Sequence, residues 1–224
     1  MSTDHPTDRV FYRSPRKTYP TAVRAEGVLI YDEDGRTYID GSGGAVVVSI
    51  GHGVPEVMEA MQSQAARIAF AHGSQFTTAA ARELARKIVD LCPPGLERVY
   101  FVSGGSEAVE TAVKMARQYQ VERGTPEKYK VISRWTSYHG NTLGALALSG
   151  HTGRRRHYLP LMLHTPHIAP AYCYRCPFGR EAAGCSLECA EDLETAILYE
   201  GPDSVSAFIA EPVVGATAGA LVPK

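Results

Sequence analysis

The sequence lacks an excess of charge of either sign. Its 23 Lys and Arg residues nearly balance its 24 Asp and Glu residues, so the formal net charge at pH 7 is -1. A chain without a positive field has no electrostatic basis for binding nucleic acid or an anionic membrane surface. We therefore predict no nucleic-acid partner and no membrane partner, and we expect a small molecule or another protein instead.

Long apolar segments are also missing. No stretch approaches eighteen apolar residues, and residues 1–17 are polar with scattered charges, unlike a signal peptide. These absences predict a cytoplasmic location. Apolar residues still make up 44% of the 224-residue chain, which is enough to build a hydrophobic core.

Cysteine is too scarce for a disulfide scaffold, since the whole chain contains five. Four of them lie close together, as Cys173-x-x-Cys176 and Cys185-x-x-x-Cys189. By spacing alone these thiols could hold a tetrahedral zinc ion, although the second pair is not Cys-x-x-Cys. Reduced, partly buried thiols are the alternative. We assign no metal ligand from the sequence, and whether these four cysteines bind zinc stays open.

The first part of the chain is predicted to form a β-hairpin followed by helices. Two β-prone runs, 28–31 and 37–40, flank a turn that ends at Gly35. Pro55 then opens a pattern of apolar residues at helical spacing, and a second such pattern runs through 81–91. These patterns predict a hairpin and helix segment ahead of the main domain.

Strands and helices are predicted to alternate from residue 99 onward. The predicted strands are 99–102, 130–135 and 205–210, and the predicted helices are 107–120, 141–149 and 188–200. Such alternation is typical of an α/β fold in which a mostly parallel sheet is flanked by helices.

The most informative local feature is the turn from strand 99–102 into helix 107–120. It runs through Ser-Gly-Gly-Ser, and the free N–H groups of a helix start suit a phosphate. Gly104 and Gly105 let the backbone approach a ligand, and the Ser106 hydroxyl could add one donor. The competing interpretation is that Ser103 or Ser106 simply caps the helix.

One face of this helix is predicted to lie against the sheet. On the opposite, solvent-facing side, Lys114 is expected to pair with Glu110 at i,i+4 spacing. The residues predicted to face the sheet are Ala108, Ala112, Met115 and Tyr119.

Three ordered segments resemble signatures of the class III aminotransferases. They are Ser-Gly-Gly-Ser-Glu-Ala-Val-Glu at 103–110, Tyr-His-Gly-Asn-Thr at 138–142 and Ala-Glu-Pro-Val-Val-Gly at 210–215. Shorter matches at 40–44, 51–53 and 83–85 extend the similarity through nearly the whole chain. The resemblance implies fold type I and the cofactor pyridoxal phosphate.

The resemblance also implies roles for particular residues. Those matching Gly105 and Ser106 bind the cofactor phosphate in the family, and the aromatic residue matching Tyr138 stacks on the pyridine ring. An ordinary core tyrosine and a carboxylate that caps a loop are the alternatives for Tyr138 and Glu211. The predicted cofactor-binding residues are Gly105, Ser106, Tyr138, His139, Gly140 and Glu211.

In the family, a cofactor-bound lysine and an aspartate at the pyridine nitrogen follow the segment matching 210–212. None of the lysines here, Lys224 included, lies in such a context, so we predict no catalytic residue and expect an N-terminal fragment lacking the Schiff-base lysine. Residues 1–54 would begin the small domain, and 55–224 would be an incomplete large domain that binds pyridoxal phosphate.

The function implied by the resemblance is transfer of an amino group between an amino acid or amine and a 2-oxo acid. The resemblance also implies a homodimer in which residues 42–52 help to line the sites. A truncated or degenerate product, serving as a cofactor-site remnant or a dimer-interaction module, is the alternative.

Overall fold

The computed structural model describes residues 9–219, so Lys224 lies outside the described residues. The chain divides into two compact units, Met1–Glu97 and Arg98–Lys224. No helix within the described range is both long and apolar enough to cross a membrane.

The first unit contains a three-stranded antiparallel sheet in the order β1-β2-β3. Its strands are β1 (Ala22–Glu26), β2 (Leu29–Asp32) and β3 (Thr37–Ile39). The predicted hairpin is confirmed as β2 and β3, which pair antiparallel with Ile30 opposite Tyr38. Strand β1 was not predicted, and it reaches β2 through Gly27, whose φ of 56° suits a residue without a side chain.

Two helices follow in this unit, α1 (Pro55–Arg67) and α2 (Ala79–Val89). Pro55 occupies the first helical position, where its missing N–H costs nothing. The Thr78 side chain accepts a hydrogen bond of 3.1 Å from the N–H of Ala81 and so caps α2. Both predicted helices are confirmed.

The second unit is built around a parallel sheet in the order β5-β4-β6. The central strand β4 (Lys130–Arg134) pairs in parallel with β5 (His167–Ile168) and with β6 (Val205–Phe208). Ile132 and Ser133 on β4 are fully buried, and helix α4 (Leu143–Leu148) contributes four buried residues to the same core. A mostly parallel sheet flanked by helices is confirmed, although β5 was not predicted.

Three further helices complete this unit: α3 (Gly105–Glu122), α5 (Thr152–Arg155) and α6 (Glu188–Glu200). The helices predicted at 107–120, 141–149 and 188–200 are confirmed as α3, α4 and α6, whereas the short α5 was not predicted. Gly201, with φ of 87°, ends α6 at the predicted stop.

Two local predictions in this unit are wrong. Residues 97–102 form no regular secondary structure, because a strand needs a hydrogen-bonded neighbour and none of the described strands pairs with them. The stripe predicted to face the sheet is exposed instead, with Met115 57% and Tyr119 55% accessible. The half-buried stripe of α3 has the same spacing but another phase, and consists of Ser106, Val109, Val113 and Ala116.

In the first unit, the Asp32 carboxylate organises the turn between β2 and β3. Its Oδ1 accepts hydrogen bonds from the N–H groups of Asp34 (3.1 Å) and Arg36 (2.8 Å), and its Oδ2 accepts one from the Tyr38 hydroxyl (2.7 Å). The Tyr38 hydrogen bond, together with these N–H donors and the Arg36 charge, lowers the pKa of Asp32 despite its burial.

We therefore predict that Asp32 titrates below the ordinary aspartate value of about 3.9. Because the folded-state pKa is depressed, Asp32 stabilises the hairpin above the unfolded-state pKa, and this contribution is lost as pH falls through the folded value. The amide chemical shift of Arg36, followed by NMR from pH 6 downward, should report this titration. Asp32→Asn should abolish the transition, and a midpoint at or above the ordinary value would contradict the assignment.

Candidate functional site

Two hydrogen bonds bring together the three segments singled out in the sequence. The N–H of Asn141 donates to Ser106 Oγ at 2.9 Å, which joins the loop after β4 to the start of α3. The N–H of Tyr138 donates to Glu211 Oε2 at 2.9 Å, which joins the same loop to the segment after β6. The junction therefore lies at the carboxyl ends of parallel strands, where open α/β sheets bind ligands.

The first turn of α3 presents unused backbone donors. Gly104 precedes the helix in an extended conformation, and no side chain caps the helix start. Within the described part of the chain, the N–H groups of Gly105, Ser106 and Glu107 meet no acceptor. The Glu107 carboxylate turns back and accepts from the Ser103 N–H at 2.8 Å. Three aligned N–H groups at a helix N-terminus are suited to an anion.

The Ser106 hydroxyl accepts a hydrogen bond from the loop 138–142 and does not cap its own helix. Because its oxygen accepts the Asn141 N–H, its proton stays available to donate to a ligand. Gly140 makes this approach possible, since a Cβ there would lie 2.7 Å from both Ser106 Oγ and the Ala145 Cβ. Its φ of 146° is a further reason for glycine at this position.

Tyr138 is half-buried, and its ring has a cation on one face. The Arg154 guanidinium lies 4.4 Å from the ring centroid, a distance typical of a cation–π contact. No other ring or cation contact to Tyr138 occurs among the described residues. The remaining face can take a planar ligand.

Glu211 holds two loops through its carboxylate. Besides the Tyr138 N–H at Oε2, its Oε1 accepts the N–H of Gly215 at 3.3 Å. The hydrogen bond from the Gly215 N–H is the kind of contact expected if Glu211 only caps a loop. The Tyr138 contact additionally fixes the backbone that carries the aromatic ring.

His139 is buried and lies in the same loop. Its N–H donates to Ser149 Oγ at 2.8 Å, while its buried Nε2 has no hydrogen-bond partner in the described part of the structure. Burial lowers the pKa of His139, and the Glu211 charge opposes this only in part. This shift favours the neutral form of the imidazole.

The backbone just before this loop is strained. Thr136 has φ of 58°, an unfavourable value for a β-branched residue, and such strain costs about 1–3 kcal/mol. The Thr136 N–H donates to the Gly150 carbonyl at 3.2 Å, and the Thr217 hydroxyl donates to the Thr136 carbonyl at 2.7 Å. A Cβ at Gly150 would overlap the Arg134 carbonyl, so glycine lets these segments approach.

Part of this network was not predicted from the sequence. The Glu110 carboxylate was expected to pair with Lys114, and this is wrong: Oε1 accepts the Thr142 hydroxyl at 2.5 Å and the Ala145 N–H at 3.1 Å. Ser149, which accepts the His139 N–H, was also not predicted. No local pattern could have revealed the contact between Glu110 and Thr142, because the two residues are 32 positions apart.

The cysteines carry no disulfide, and all five are free thiols. Within residues 9–219, no group of three or more His, Cys, Asp or Glu side chains is arranged to hold a metal ion. Burial raises the pKa of the Cys189 thiol, which favours its protonated form.

A model of the family Aminotransferase class-III matches residues 11–224 of the chain. The sequence is 40% identical over 205 residues to the uncharacterized aminotransferase YodT of Bacillus subtilis, covering 92% of this chain and 46% of that protein. It is 40% identical over 204 residues to the diaminobutyrate–2-oxoglutarate transaminase of Halomonas elongata, covering 88% of this chain and 43% of that protein.

The fold is similar to that of solved transaminase structures. An omega transaminase of Pseudomonas jessenii, solved in complex with PMP, superposes with a TM-score of 0.87 at 30% identity, covering 95% of this chain and 49% of that one. The chain therefore spans about half the length of the relatives that it matches.

Gly140→Ala should destabilise the second unit by about 1–3 kcal/mol, because the new methyl group overpacks against Ser106 and Ala145. Gly184→Ala is the matched control, since a Cβ there meets no atom within 4 Å. Chemical denaturation of both variants and the parent measures the difference. Equal stability of Gly140→Ala and the control would show that the loop does not need this close approach.

Proposed function

Because this chain belongs to the class III aminotransferase family, we propose that it binds pyridoxal phosphate and takes part in amino-group transfer. The substrates would be an amino acid or amine and a 2-oxo acid. The observation that carries the proposal is the junction at which Ser106 and Glu211 each accept an N–H from the loop 138–142. The family itself consists of transaminases that use pyridoxal phosphate.

The start of α3 fits the phosphate of this cofactor. The unpartnered N–H groups of Gly105, Ser106 and Glu107 and the free proton of the Ser106 hydroxyl offer donors to one dianion. Hydrogen bonds to a charged acceptor are about twice as strong as neutral ones. A Cβ at Gly105 would meet no atom within 4 Å, so this position leaves space for the phosphate oxygens.

The loop 138–142 fits the cofactor ring. The Tyr138 face opposite Arg154, which contacts no other described ring or cation, would stack on the pyridine ring. Glu211 would hold the Tyr138 backbone in place, and Gly140 would keep the loop against α3. His139 would complete this turn, with its backbone N–H held by Ser149 and its buried Nε2 without a partner among the described residues.

Pyridoxal phosphate, when bound, supplies an electron sink that stabilises the negative charge left when an amino substrate loses a proton. The residues of this chain bind and orient the cofactor. No hydrogen bond or ion pair joins any of the five described lysines to the six site residues. We therefore assign no proton transfer to a side chain within the described range.

We also propose that the whole protein is a homodimer. The segment 42–52 exposes apolar side chains, with Val46 84%, Val47 79% and Ile50 69% accessible. The turn Gly43–Val46 has positive φ throughout, including the two non-glycine residues at its end. Strained backbone and exposed apolar surface in one segment support contact with a second subunit. The division at residues 54 and 55 and the cytoplasmic location remain predictions.

Two substitutions at Ser106 test the phosphate site. Ser106→Ala removes one donor to a charged group, so the affinity for pyridoxamine 5′-phosphate should fall roughly ten- to a hundredfold. Ser106→Asp should bind more weakly still, because its carboxylate would repel the phosphate. Asp keeps an acceptor for the Asn141 N–H, so a purely structural Ser106 would tolerate Asp better than Ala.

Isothermal calorimetry with pyridoxamine 5′-phosphate measures the affinities, since this ligand has no aldehyde to react with surface lysines. Thermal unfolding without ligand is recorded in parallel, with the exposed Ser186→Ala as the control. Parent-like binding by both Ser106 variants would refute the phosphate assignment. A better-preserved affinity in Ser106→Asp than in Ser106→Ala would identify Ser106 as a structural residue.

A further inference from the structure

The Glu110 carboxylate links the phosphate-binding end of α3 to the start of α4. It projects from the second turn of α3, and its Oε1 accepts both the Thr142 hydroxyl and the Ala145 N–H. Thr142 precedes α4 but makes no side-chain cap of its own. The carboxylate of a neighbouring helix therefore performs the capping at this position.

This contact leaves no space for a side chain at Gly144. A Cβ there would lie 2.5 and 2.7 Å from the two oxygens of Glu110. The backbone of Gly144 is not in the left-handed region, so glycine is not required for its conformation. Glycine at this position instead admits the Glu110 carboxylate to the first turn of α4.

The contact spans the two parts of the proposed cofactor site. Ser106 lies one turn before Glu110 on α3, and Tyr138 lies four residues before Thr142 in the loop. Asn141, between them, bonds to Ser106. A ligand held by its phosphate at α3 and by its ring at Tyr138 needs a fixed distance between these two points.

We propose that Glu110 is a positioning residue, which sets the distance between the phosphate donors of α3 and the ring face of Tyr138. This inference rests on the proposed function. It predicts that Glu110 matters for a ligand that uses both points and not for one that uses the α3 donors alone. A merely structural glutamate would affect both kinds of ligand equally.

The experiment compares pyridoxamine 5′-phosphate, which carries ring and phosphate, with inorganic phosphate, which can use only α3. Glu110→Ala should weaken binding of the first about tenfold, because two hydrogen bonds to a carboxylate are lost. Inorganic phosphate, titrated by ³¹P NMR, should bind the variant and the parent equally. Glu110→Gln keeps a neutral acceptor and should fall between the parent and Glu110→Ala.

Gly144→Ala tests the same contact from the other side. Alanine favours helix, so the substitution should displace the carboxylate while α4 stays folded. It should therefore weaken pyridoxamine 5′-phosphate binding in the parent and have no further effect in Glu110→Ala. Such non-additivity is the signature of residues that act through one contact.

Glu122→Ala, on the exposed last turn of the same helix, is the control and should bind both ligands like the parent. Unchanged pyridoxamine 5′-phosphate affinity in Glu110→Ala would overturn the positioning role, and so would equal losses for both ligands. A parent protein that does not bind pyridoxamine 5′-phosphate would contradict the proposed function itself. Binding of pyridoxamine 5′-phosphate by the parent therefore distinguishes failure of the proposed function from failure of the positioning role.

Discussion

The close approach of the loop 138–142 to the first turn of α3 is the constraint on which the candidate site depends. Gly140 permits it, since any side chain there would overlap Ser106 and Ala145. The hydrogen bond from the Asn141 N–H to Ser106 then fixes the approach. Because the loop and the helix touch at this point, the donors of α3 and Tyr138 lie on two segments that are hydrogen-bonded to each other.

The polar groups around this contact are not all satisfied by other groups of the protein. Structural contacts are complete: Glu211 and Ser149 each accept a loop N–H, and Glu110 caps α4. The first-turn N–H groups of α3 and the buried His139 Nε2, in contrast, find no acceptor or donor in the described structure. Folded proteins rarely leave buried polar groups unpaired, so His139 Nε2 is an exception, whereas the N–H groups at the solvent-accessible start of α3 can bond to water or to a ligand.

The sequence predicted the three longer helices of the second unit and its strands β4 and β6, because the signals for them are local. Gly201 ends α6, and the β-branched Val131 and Ile132 favour a strand at β4. The sequence failed where the outcome depends on distant residues. The face of α3 was assigned wrongly because two apolar stripes share one period, and only packing against α4 and β6 selects between them. Residues 99–102 were predicted as a strand, but a strand also requires a hydrogen-bonded neighbour, and none of the described strands pairs with them.

By itself, the sequence determined the cofactor-binding candidates of the site, but not the roles of Glu110 and Ser149. Local motifs predict these groups, which are Ser-Gly-Gly-Ser before a helix, an aromatic residue after β4 and a carboxylate after β6. The tertiary structure decided how these groups are joined. Glu110 was predicted to pair with Lys114 on the surface, but in the structure it caps α4, and Ser106 accepts a hydrogen bond from Asn141. The reason is physical, since hydrogen bonds between residues more than 30 positions apart depend on how helices and strands pack, which no local pattern encodes.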